Sequence, residues 1–438
     1  MRFGTFTGGI DLPHEKYATE DSPIAPWPHL ERLQVPLAPC GRGAAECIIE
    51  SGQRVAAGQR IARALDNTSL DIFSPAAALV TGITTVDVCM GDRFVPSPAI
   101  ELVDLAEPPM NADSPANNSW RTSSPEALRR RLAEGGLTTC RNPLEPLHLF
   151  IDRAKMYRCR TVVANLMENQ PYLTGDHRLM VERGHEVLAG LAIIARAIEA
   201  GQTILAADRR YIDDYGELAR AEAALGVTCI ALPHKYPIGA DAILVKVLTR
   251  REAPHGSSLM ATGAAVVGAW ACVAAYRWVA CGACPTHRVV TVSGELSATH
   301  GNFLLPVGTR CGDLGNFVRH APLHGGPMNG CLCPARAVVT WATEAVLAIH
   351  PAEAQPASPC IRCGWCTDHC PARLNVSALN DAYELGLLDQ ARRAHVTACV
   401  ECGVCSFICP ARLPLTERVR QLKRAIHPGP AVAAVVGD

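Results

Sequence analysis

The sequence predicts a multidomain chain of mixed α/β and α+β class that ends in a cysteine-rich helical segment. Short Val, Ile and Leu runs separated by Gly and Asn turns fill residues 31–105, which is typical of an all-β unit. Strand-like and helix-like runs alternate from about 124 to 255, and this alternation indicates a doubly wound parallel sheet. Near the C-terminus the pattern C-x2-C-x2-C-x3-C-P occurs twice.

Composition excludes some classes of function. The 438 residues carry a net charge of −1, so no broad positive field exists to attract nucleic acid. Twenty cysteines without an N-terminal signal peptide predict a cytoplasmic protein with thiolate ligands rather than disulfides. The uncharged run from Leu259 to Tyr276 barely reaches bilayer length, so we interpret it as a buried strand followed by a buried helix.

The N-terminal part divides into an arm and a β unit. Residues 1–29 are punctuated by Gly and Pro and show no periodicity. In the β unit, IIESGQRVAAGQRI and LVTGITTVDVCMGDRF form a pseudo-repeat similar to that of lipoyl-like barrel-sandwich proteins. Carriers of that fold have a lysine at the hairpin tip, here near Asn67–Ser69, but no lysine occurs between Lys16 and Lys155. We therefore interpret the unit as a structural or docking module.

The middle of the chain begins after a polar linker at 106–123. Strands are predicted at Thr161–Asn165, Thr203–Ala207 and Val227–Leu232, with intervening helices, the second of which ends near Ala224. Ligands of such sheets bind at the carboxyl ends of the strands, so the turn after Asn165 is the place to look for a site. A smaller α+β region follows between 287 and 345.

The two cysteine motifs predict two [4Fe-4S] clusters. Three closely spaced thiolates hold three corners of one cube, and the cysteine before proline reaches the other cube. By that rule the first cluster takes Cys360, Cys363, Cys366 and Cys409, and the second takes Cys399, Cys402, Cys405 and Cys370. Gly364 and Gly403 suit a positive φ beside the sulfides. Structural zinc or disulfides are the alternatives, but neither requires a third thiol and a Cys-Pro in both motifs.

Dispersed motifs make the chain resemble the RnfC family, the soluble subunit of the Rnf ion-translocating electron transport complex. The matching stretches are TFTGGIDLPHEK, PYLTGDHRLM, KYPIGADAILVKVLTRREAP, RVVTVSG, GNFLLPVGT, HGGPMNG and both cysteine motifs. Close relatives of that family are the cobalamin reductase of propanediol microcompartments and the flavin-binding subunit of complex I. The resemblance implies electron exchange with NAD(H) through FMN and transfer through the clusters towards membrane subunits.

The domain organisation follows from these patterns and the resemblance. It comprises an arm at 1–29, a barrel-sandwich hybrid at 30–105, a linker at 106–123, a Rossmann-like domain at 124–284, a β-grasp (SLBB-like) domain at 285–350, a ferredoxin-like two-cluster domain at 351–427 and a tail at 428–438.

The flavin loop departs from the family pattern. The family's Gly-Gly-Ala-Gly-Phe-Pro-Thr run cradles the FMN phosphate with bare N–H groups, whereas this chain has Gly135 and Gly136 followed by LTTCR. Loss of FMN is therefore favoured over its retention, with Arg141 as a partial substitute at the phosphate. Glu168 remains as a carboxylate at the expected nicotinamide side, and Thr174 is a candidate N-cap for the helix that follows.

The expected function is a subunit of an oxidoreductase complex rather than a complete enzyme. It relays electrons between NAD(H) or ferredoxin and a membrane-bound complex, to which it attaches peripherally at the inner membrane through its partner subunits. The alternatives are a flavin-less iron–sulfur docking module and a cobalamin-reductase-like protein.

The remaining cysteines leave a third metal site open. The candidates are Cys281, Cys284, Cys311, Cys331 and Cys333, although the family resemblance assigns no ligands there. The other scattered cysteines, which include Cys89, are interpreted as core or surface thiols. The histidines show no paired spacing.

Overall fold

A computed structural model describes residues 5–27, 30–106, 116–215, 225–315, 317, 321–350 and 356–426. Its first unit contains two small antiparallel sheets, with strand orders β2-β8-β7-β4 and β3-β5-β6. The strands are β2 (Arg32–Pro36), β3 (Glu46–Cys47), β4 (Arg54–Val55), β5 (Arg60–Arg63), β6 (Ile72–Phe73), β7 (Ala78–Met90) and β8 (Arg93–Val103). This is the two-sheet unit that the pseudo-repeat predicts.

The second unit is a parallel sheet covered by helices. All its strand pairs are parallel and their order is β11-β10-β9-β12. Its elements are α1 (Pro125–Ala133), α2 (Leu147–Met156), β9 (Thr161–Leu166), α3 (Gly175–Ile198), β10 (Gln202–Asp208), β11 (Val227–Leu232), α4 (Asp241–Thr249), β12 (Ala264–Gly268) and α5 (Ala269–Cys281). The predicted helix that ends near Ala224 lies outside the described residues.

The uncharged run at 259–276 forms β12 and the first part of α5, as predicted. Helix α5 is apolar around most of its circumference, and it packs against the sheet, α1 and α3. The two helices approach so closely that a Cβ at Gly190 would lie 1.7 Å from the Cys272 carbonyl oxygen. Among the described residues, no helix has the length and apolarity needed to cross a bilayer.

The third unit is a mixed six-stranded sheet with the order β1-β14-β13-β17-β15-β16. Its strands are β1 (Ile24–Pro26), β13 (His287–Ser293), β14 (Gly301–Pro306), β15 (Leu323–His324), β16 (Cys331–Leu332) and β17 (Ala345–Leu347). Strand β1 comes from the N-terminal arm and pairs in parallel with β14. The arm is therefore integrated into this sheet, which its sequence did not indicate because a three-residue strand shows no periodicity.

The C-terminal unit is helical and internally repeated. Its helices are α6 (Trp365–Asp368), α7 (Val376–Glu384), α8 (Leu388–Arg393), α9 (Val404–Phe407) and α10 (Leu415–Ile426). They enclose a small core that includes Leu379, Val396 and Leu413. The predicted tail at 428–438 and residues 107–115 of the predicted linker lie outside the described residues.

Candidate functional site

The eight motif cysteines lie in two groups of four, each around its own cavity. We call these groups the first and second cysteine cavities. The first is lined by Cys360, Cys363, Cys366 and Cys409, and the second by Cys370, Cys399, Cys402 and Cys405. Each group takes three cysteines from one motif and the cysteine before proline from the other. This is the crossed grouping that the spacing predicts, and four thiols around each cavity are the donor set of a thiolate-bound cluster.

The backbone explains how one motif wraps around a cavity. Gly364 and Gly403 both have φ +83°, and Arg362 and Glu401 have φ +59° and +55° at equivalent positions. These left-handed residues turn the chain so that successive thiols converge rather than alternate. In the second cavity, backbone N–H groups also point at sulfur: Glu401 donates to Cys399 Sγ at 3.3 Å and Leu374 donates to Cys370 Sγ at 3.4 Å.

The surroundings of the two cavities differ. Around the second cavity, Tyr236 donates its hydroxyl hydrogen to the Cys402 carbonyl oxygen at 2.5 Å, and a Cβ at Gly403 would lie 2.1 Å from the Met328 carbonyl oxygen. Cys402 is buried. At the first cavity Cys363 is exposed. Among the described residues other than its chain neighbours, the atom nearest to a Cβ at Gly364 would be Asp368 Oδ2, at 3.9 Å.

A central cavity of about 540 Å³ adjoins the second cysteine cavity. It lies at the carboxyl end of β9, where the turn Met167–Gln170 forms part of its wall. Cys399 and Cys402 border both cavities. The N-terminal arm closes this region, since Gly9 donates to the His369 carbonyl oxygen at 2.8 Å and Ile10 pairs with Tyr236.

The wall of the central cavity is predominantly acidic. Its carboxylates are Asp92, Glu168, Asp176, Asp241, Glu344 and Glu401, and its cations are Arg141, Arg420 and Lys423. Burial, followed by the nearby Glu168 carboxylate, raises the pKa of Asp176 to about 7. The wall therefore has more carboxylates than cations, and the pKa of at least one carboxylate is already raised. Such a wall disfavours the binding of a further anionic group in this space.

Glu168 lines the central cavity and also caps a helix. Its two carboxylate oxygens accept the backbone N–H groups of Asp176 and His177 at 2.9 and 2.8 Å. The Glu168 side chain therefore caps the N-terminus of α3. Thr174 occupies the N-cap position but makes no side-chain cap bond. Instead its hydroxyl pairs with Asn302 and Thr19.

Gly135 and Gly136 do not line the central cavity. A Cβ at Gly135 would lie 2.7 Å from the Trp278 ring, and one at Gly136 would lie 2.3 Å from the Asp71 carbonyl oxygen. Both glycines are therefore required by packing against α5 and the barrel-sandwich unit.

The part of the flavin loop that does reach the cavity is Arg141–Pro143. Arg141 donates to Asp241 Oδ1 at 2.5 Å, the Asn142 side chain exchanges two hydrogen bonds of 2.7 Å with the Gly91 backbone, and Pro143 has no N–H. An FMN phosphate needs unengaged N–H groups or an unpaired cation. These residues do not fit that phosphate, and Arg141 is already neutralised.

The cysteines proposed for a third metal site do not form one group, and the Cys311 and Cys333 thiols contact each other. Cys284 lies 3.6 Å from the Gly58 carbonyl oxygen, against the barrel-sandwich unit. Cys331 instead lies 3.6 Å from Cys89, sulfur to sulfur, and both lie close to His324. Sequence reasoning missed Cys89 and His324, because their proximity depends on the packing of β7 against the six-stranded sheet.

Comparison with known proteins addresses the identity of the chain. Family models match in three segments: RnfC barrel sandwich hybrid domain at residues 4–102, Nuo51 FMN-binding domain at 146–277, and 4Fe-4S dicluster domain at 354–412. A subunit of the ion-translocating oxidoreductase complex from Rhodobacter capsulatus is 30% identical over 397 residues, which cover 88% of this chain and 76% of that protein.

The chain belongs to the RnfC family. Two further members are similar to it. One is a subunit of the proton-translocating ferredoxin:NAD(+) oxidoreductase complex from Clostridium ljungdahlii, 27% identical over 89% of this chain and 87% of that protein. The other is a subunit of the ion-translocating oxidoreductase complex from Edwardsiella ictaluri, 31% identical over 97% of this chain and 54% of that longer protein. A chain of an NAD+-reducing [NiFe]-hydrogenase in the air-oxidized state is 18% identical with a TM-score of 0.45, covering 71% of this chain and 55% of that one.

Membership confirms the resemblance drawn from the dispersed motifs. As an RnfC protein, the chain has a barrel-sandwich N-terminal domain, a domain of the FMN-binding type and a 4Fe-4S dicluster domain. The FMN-domain match begins at residue 146, directly after the altered loop. The domain type is thus present, while the residues of its phosphate loop do not fit FMN.

Proposed function

We propose that this RnfC protein is an electron-transfer subunit of an Rnf-type ion-translocating oxidoreductase complex. The observation that carries the proposal is the arrangement of two four-cysteine cavities side by side, one next to an interior cavity and the other near the surface. Clusters of the [4Fe-4S] type, when bound to these thiolates, supply one-electron transfer. The protein contributes the ligands, their burial and the contact surfaces.

The proposed ligand sets are the two crossed groups. Cys360, Cys363, Cys366 and Cys409 hold one cluster, and Cys399, Cys402, Cys405 and Cys370 hold the other. The N–H groups of Leu374 and Glu401 stabilise thiolate charge in the second group. Pro371 and Pro410 end each motif and direct the chain into the helices that enclose the pair.

The first cysteine cavity is the proposed contact with partner proteins. Apolar side chains of Ile361, Trp365 and Phe407 are 64%, 53% and 59% exposed on the motifs and helices next to it. Exposed aromatic residues beside a redox site suit a transient docking surface. The proposed partners are other subunits of the membrane complex, through which the chain is held peripherally at the cytoplasmic face, and a soluble carrier.

A single-electron carrier such as ferredoxin is favoured over NAD(H) as the soluble partner. NAD(H) exchanges a hydride, which requires a two-electron acceptor in the protein. The engaged side chains of Arg141 and Asn142 disfavour the phosphate of the flavin that would be that acceptor. The second candidate function, direct exchange with NAD(H), rests on the FMN-domain match at 146–277.

Reduction of the iron-loaded protein distinguishes the two candidates. We expect anaerobic reduced ferredoxin to bleach the iron–sulfur absorption, and NADH to leave it unchanged even after incubation with FMN. Acid precipitation is then expected to release no stoichiometric flavin. Rapid reduction by NADH together with about one FMN per chain would establish the second candidate instead.

The domain boundaries belong to the same proposal. They are an arm at 1–29, a barrel-sandwich at 30–105, a linker at 106–123, a Rossmann-like domain at 124–284, an SLBB-like β-grasp domain at 285–350, a two-cluster domain at 351–427 and a tail at 428–438. Limited proteolysis is expected to cut first near 106–123, where the sequence is rich in Pro, Asn and Ser. Initial cleavage within 287–306, which forms paired strands, would contradict these boundaries.

A further inference from the structure

Three metal-binding side chains converge beside the central cavity, outside both cysteine motifs. They are Cys89 on β7, His324 at the end of β15 and Cys331 at the start of β16. Their ligand atoms all lie within 4.8 Å of one another. We propose that these three residues form a third metal site, which binds Zn²⁺ or a similar thiophilic divalent cation.

The spacing of the donors suits a tetrahedral ion. The Sγ atoms of Cys89 and Cys331 lie 3.6 Å apart. Two thiolates bound to tetrahedral Zn²⁺ at about 2.3 Å are separated by roughly 3.8 Å, so an ion fits between them with little movement. On binding, the ion displaces the two thiol protons to solvent and no electron is exchanged.

The surroundings hold the donors in position. His324 is buried, and its Nε2 lies 3.0 Å from the Thr343 hydroxyl oxygen, so Nδ1 is the nitrogen that would bind the metal. Its ring also packs edge-on against Phe94 with centroids 5.6 Å apart. A histidine ligand is usually oriented by a hydrogen bond at the ring nitrogen that does not bind the metal.

The ligand set indicates the class of metal. Two cysteines and one histidine are soft and borderline donors, which favour Zn²⁺ over Mg²⁺ or Ca²⁺. Structural zinc has four protein ligands, whereas this set has three, and all three residues border the central cavity. The fourth position of the site therefore faces that cavity and is open to water or a small ligand, as in zinc sites with an exchangeable position.

The site also ties together separate parts of the fold. Cys89 belongs to the barrel-sandwich unit, while His324 and Cys331 belong to the six-stranded sheet. The same contact region includes the ion pair of Asp87 with Arg336 and a bridge from Asp87 to Ala337. A metal here would stabilise the interface between these units by binding the native state alone.

Metal analysis of the full-length, iron-loaded protein tests the proposal. After incubation with Zn²⁺ and removal of the excess, we expect about one zinc per chain in addition to the cluster iron. Cys331→Ser and His324→Gln should each reduce zinc at least tenfold and leave the iron content unchanged. The matched control is Cys284→Ser. Cys284 lies against Gly58 of the barrel-sandwich unit, outside the three-residue site, so this variant should keep its zinc.

Zinc absorption spectroscopy separates this site from the cysteine cavities. We expect two sulfur neighbours at about 2.3 Å and nitrogen or oxygen neighbours at about 2.0 Å. Four sulfur neighbours would mean that zinc occupies a cluster site, and would overturn the proposal. It is equally overturned if Cys331→Ser retains zinc, if the iron-loaded wild type binds none, or if mass spectrometry of the unreduced protein finds a Cys89–Cys331 disulfide.

Discussion

The two cysteine cavities have the same motif and backbone but different surroundings. Gly364 and Gly403 share φ +83° and follow equivalent cysteines. Around the first cavity, Cys363 and the side chains of Ile361 and Trp365 are exposed. Around the second, Cys402 is buried and accepts at its carbonyl oxygen the hydrogen bond from Tyr236.

This difference shows what the motif determines and what it does not. Cysteine spacing and left-handed residues determine which thiols converge. The position of each cavity in the protein depends on other units, since the arm, the parallel sheet and the six-stranded sheet all contact the region around the second cavity. The pair therefore has one interior member and one member near the surface.

The largest expected difference is in the free energy of unfolding, between alanine substitutions at the two equivalent glycines. A positive φ costs alanine about 1–2 kcal/mol, and this applies to both Gly364→Ala and Gly403→Ala. At Gly403 the Cβ would also lie 2.1 Å from the Met328 carbonyl oxygen, which adds about 1–3 kcal/mol of overpacking. In urea unfolding of the iron-loaded variants, the midpoint urea concentration should therefore be clearly lower for Gly403→Ala than for Gly364→Ala. Equal midpoints would show that the second cavity is no more constrained than the first.

A smaller effect concerns the acidic wall beside the second cavity. Because the pKa of Asp176 is raised to about 7, the folded state binds a proton that the unfolded state releases near pH 4. The wild type should therefore lose stability relative to Asp176→Asn as the pH rises from 4 to 7.

Thermal unfolding of Asp176→Asn and wild type across that pH range checks this. Asp313→Asn serves as the control, since Asp313 is exposed. The raised pKa is contradicted if the stability difference between Asp176→Asn and wild type is the same at pH 4 and pH 8.

The smallest effect concerns access of a chelator to iron. The exposed Cys363 should let a chelator remove the first cluster about tenfold faster than the second, a rate difference equal to about 1.4 kcal/mol. Iron release should then be biphasic, with about half of the iron in each phase. Cys363→Ala should lack the fast phase. A single phase from the wild type would place both clusters in equivalent surroundings.

Much of the fold could be predicted from local patterns. The strands at Thr161, Thr203 and Val227, the buried strand and helix after Leu259, and the positive φ of Gly364 and Gly403 all follow from periodicity or motif chemistry. The predicted parallel sheet is confirmed. Residues 24–26 were missed, because their strand is defined by its partner β14 rather than by its own sequence.

Sequence patterns predicted the site less well wherever its geometry depends on packing between distant residues. Gly135 and Gly136 look like remnants of a phosphate loop, yet Trp278 and Asp71 account for both. Cys89 and Cys331 are 242 positions apart in sequence, so no spacing rule relates them.

The crossed ligation of two clusters is the central claim, and the iron content of one double variant tests it most directly. If Cys363 and Cys409 serve the same cluster, Cys363→Ala/Cys409→Ala should retain about four of about eight irons per chain, and Cys363→Ala alone should retain the same number. If Cys409 instead serves the cluster of its own motif, the double variant loses both clusters, and near-zero iron in a folded protein would contradict the account.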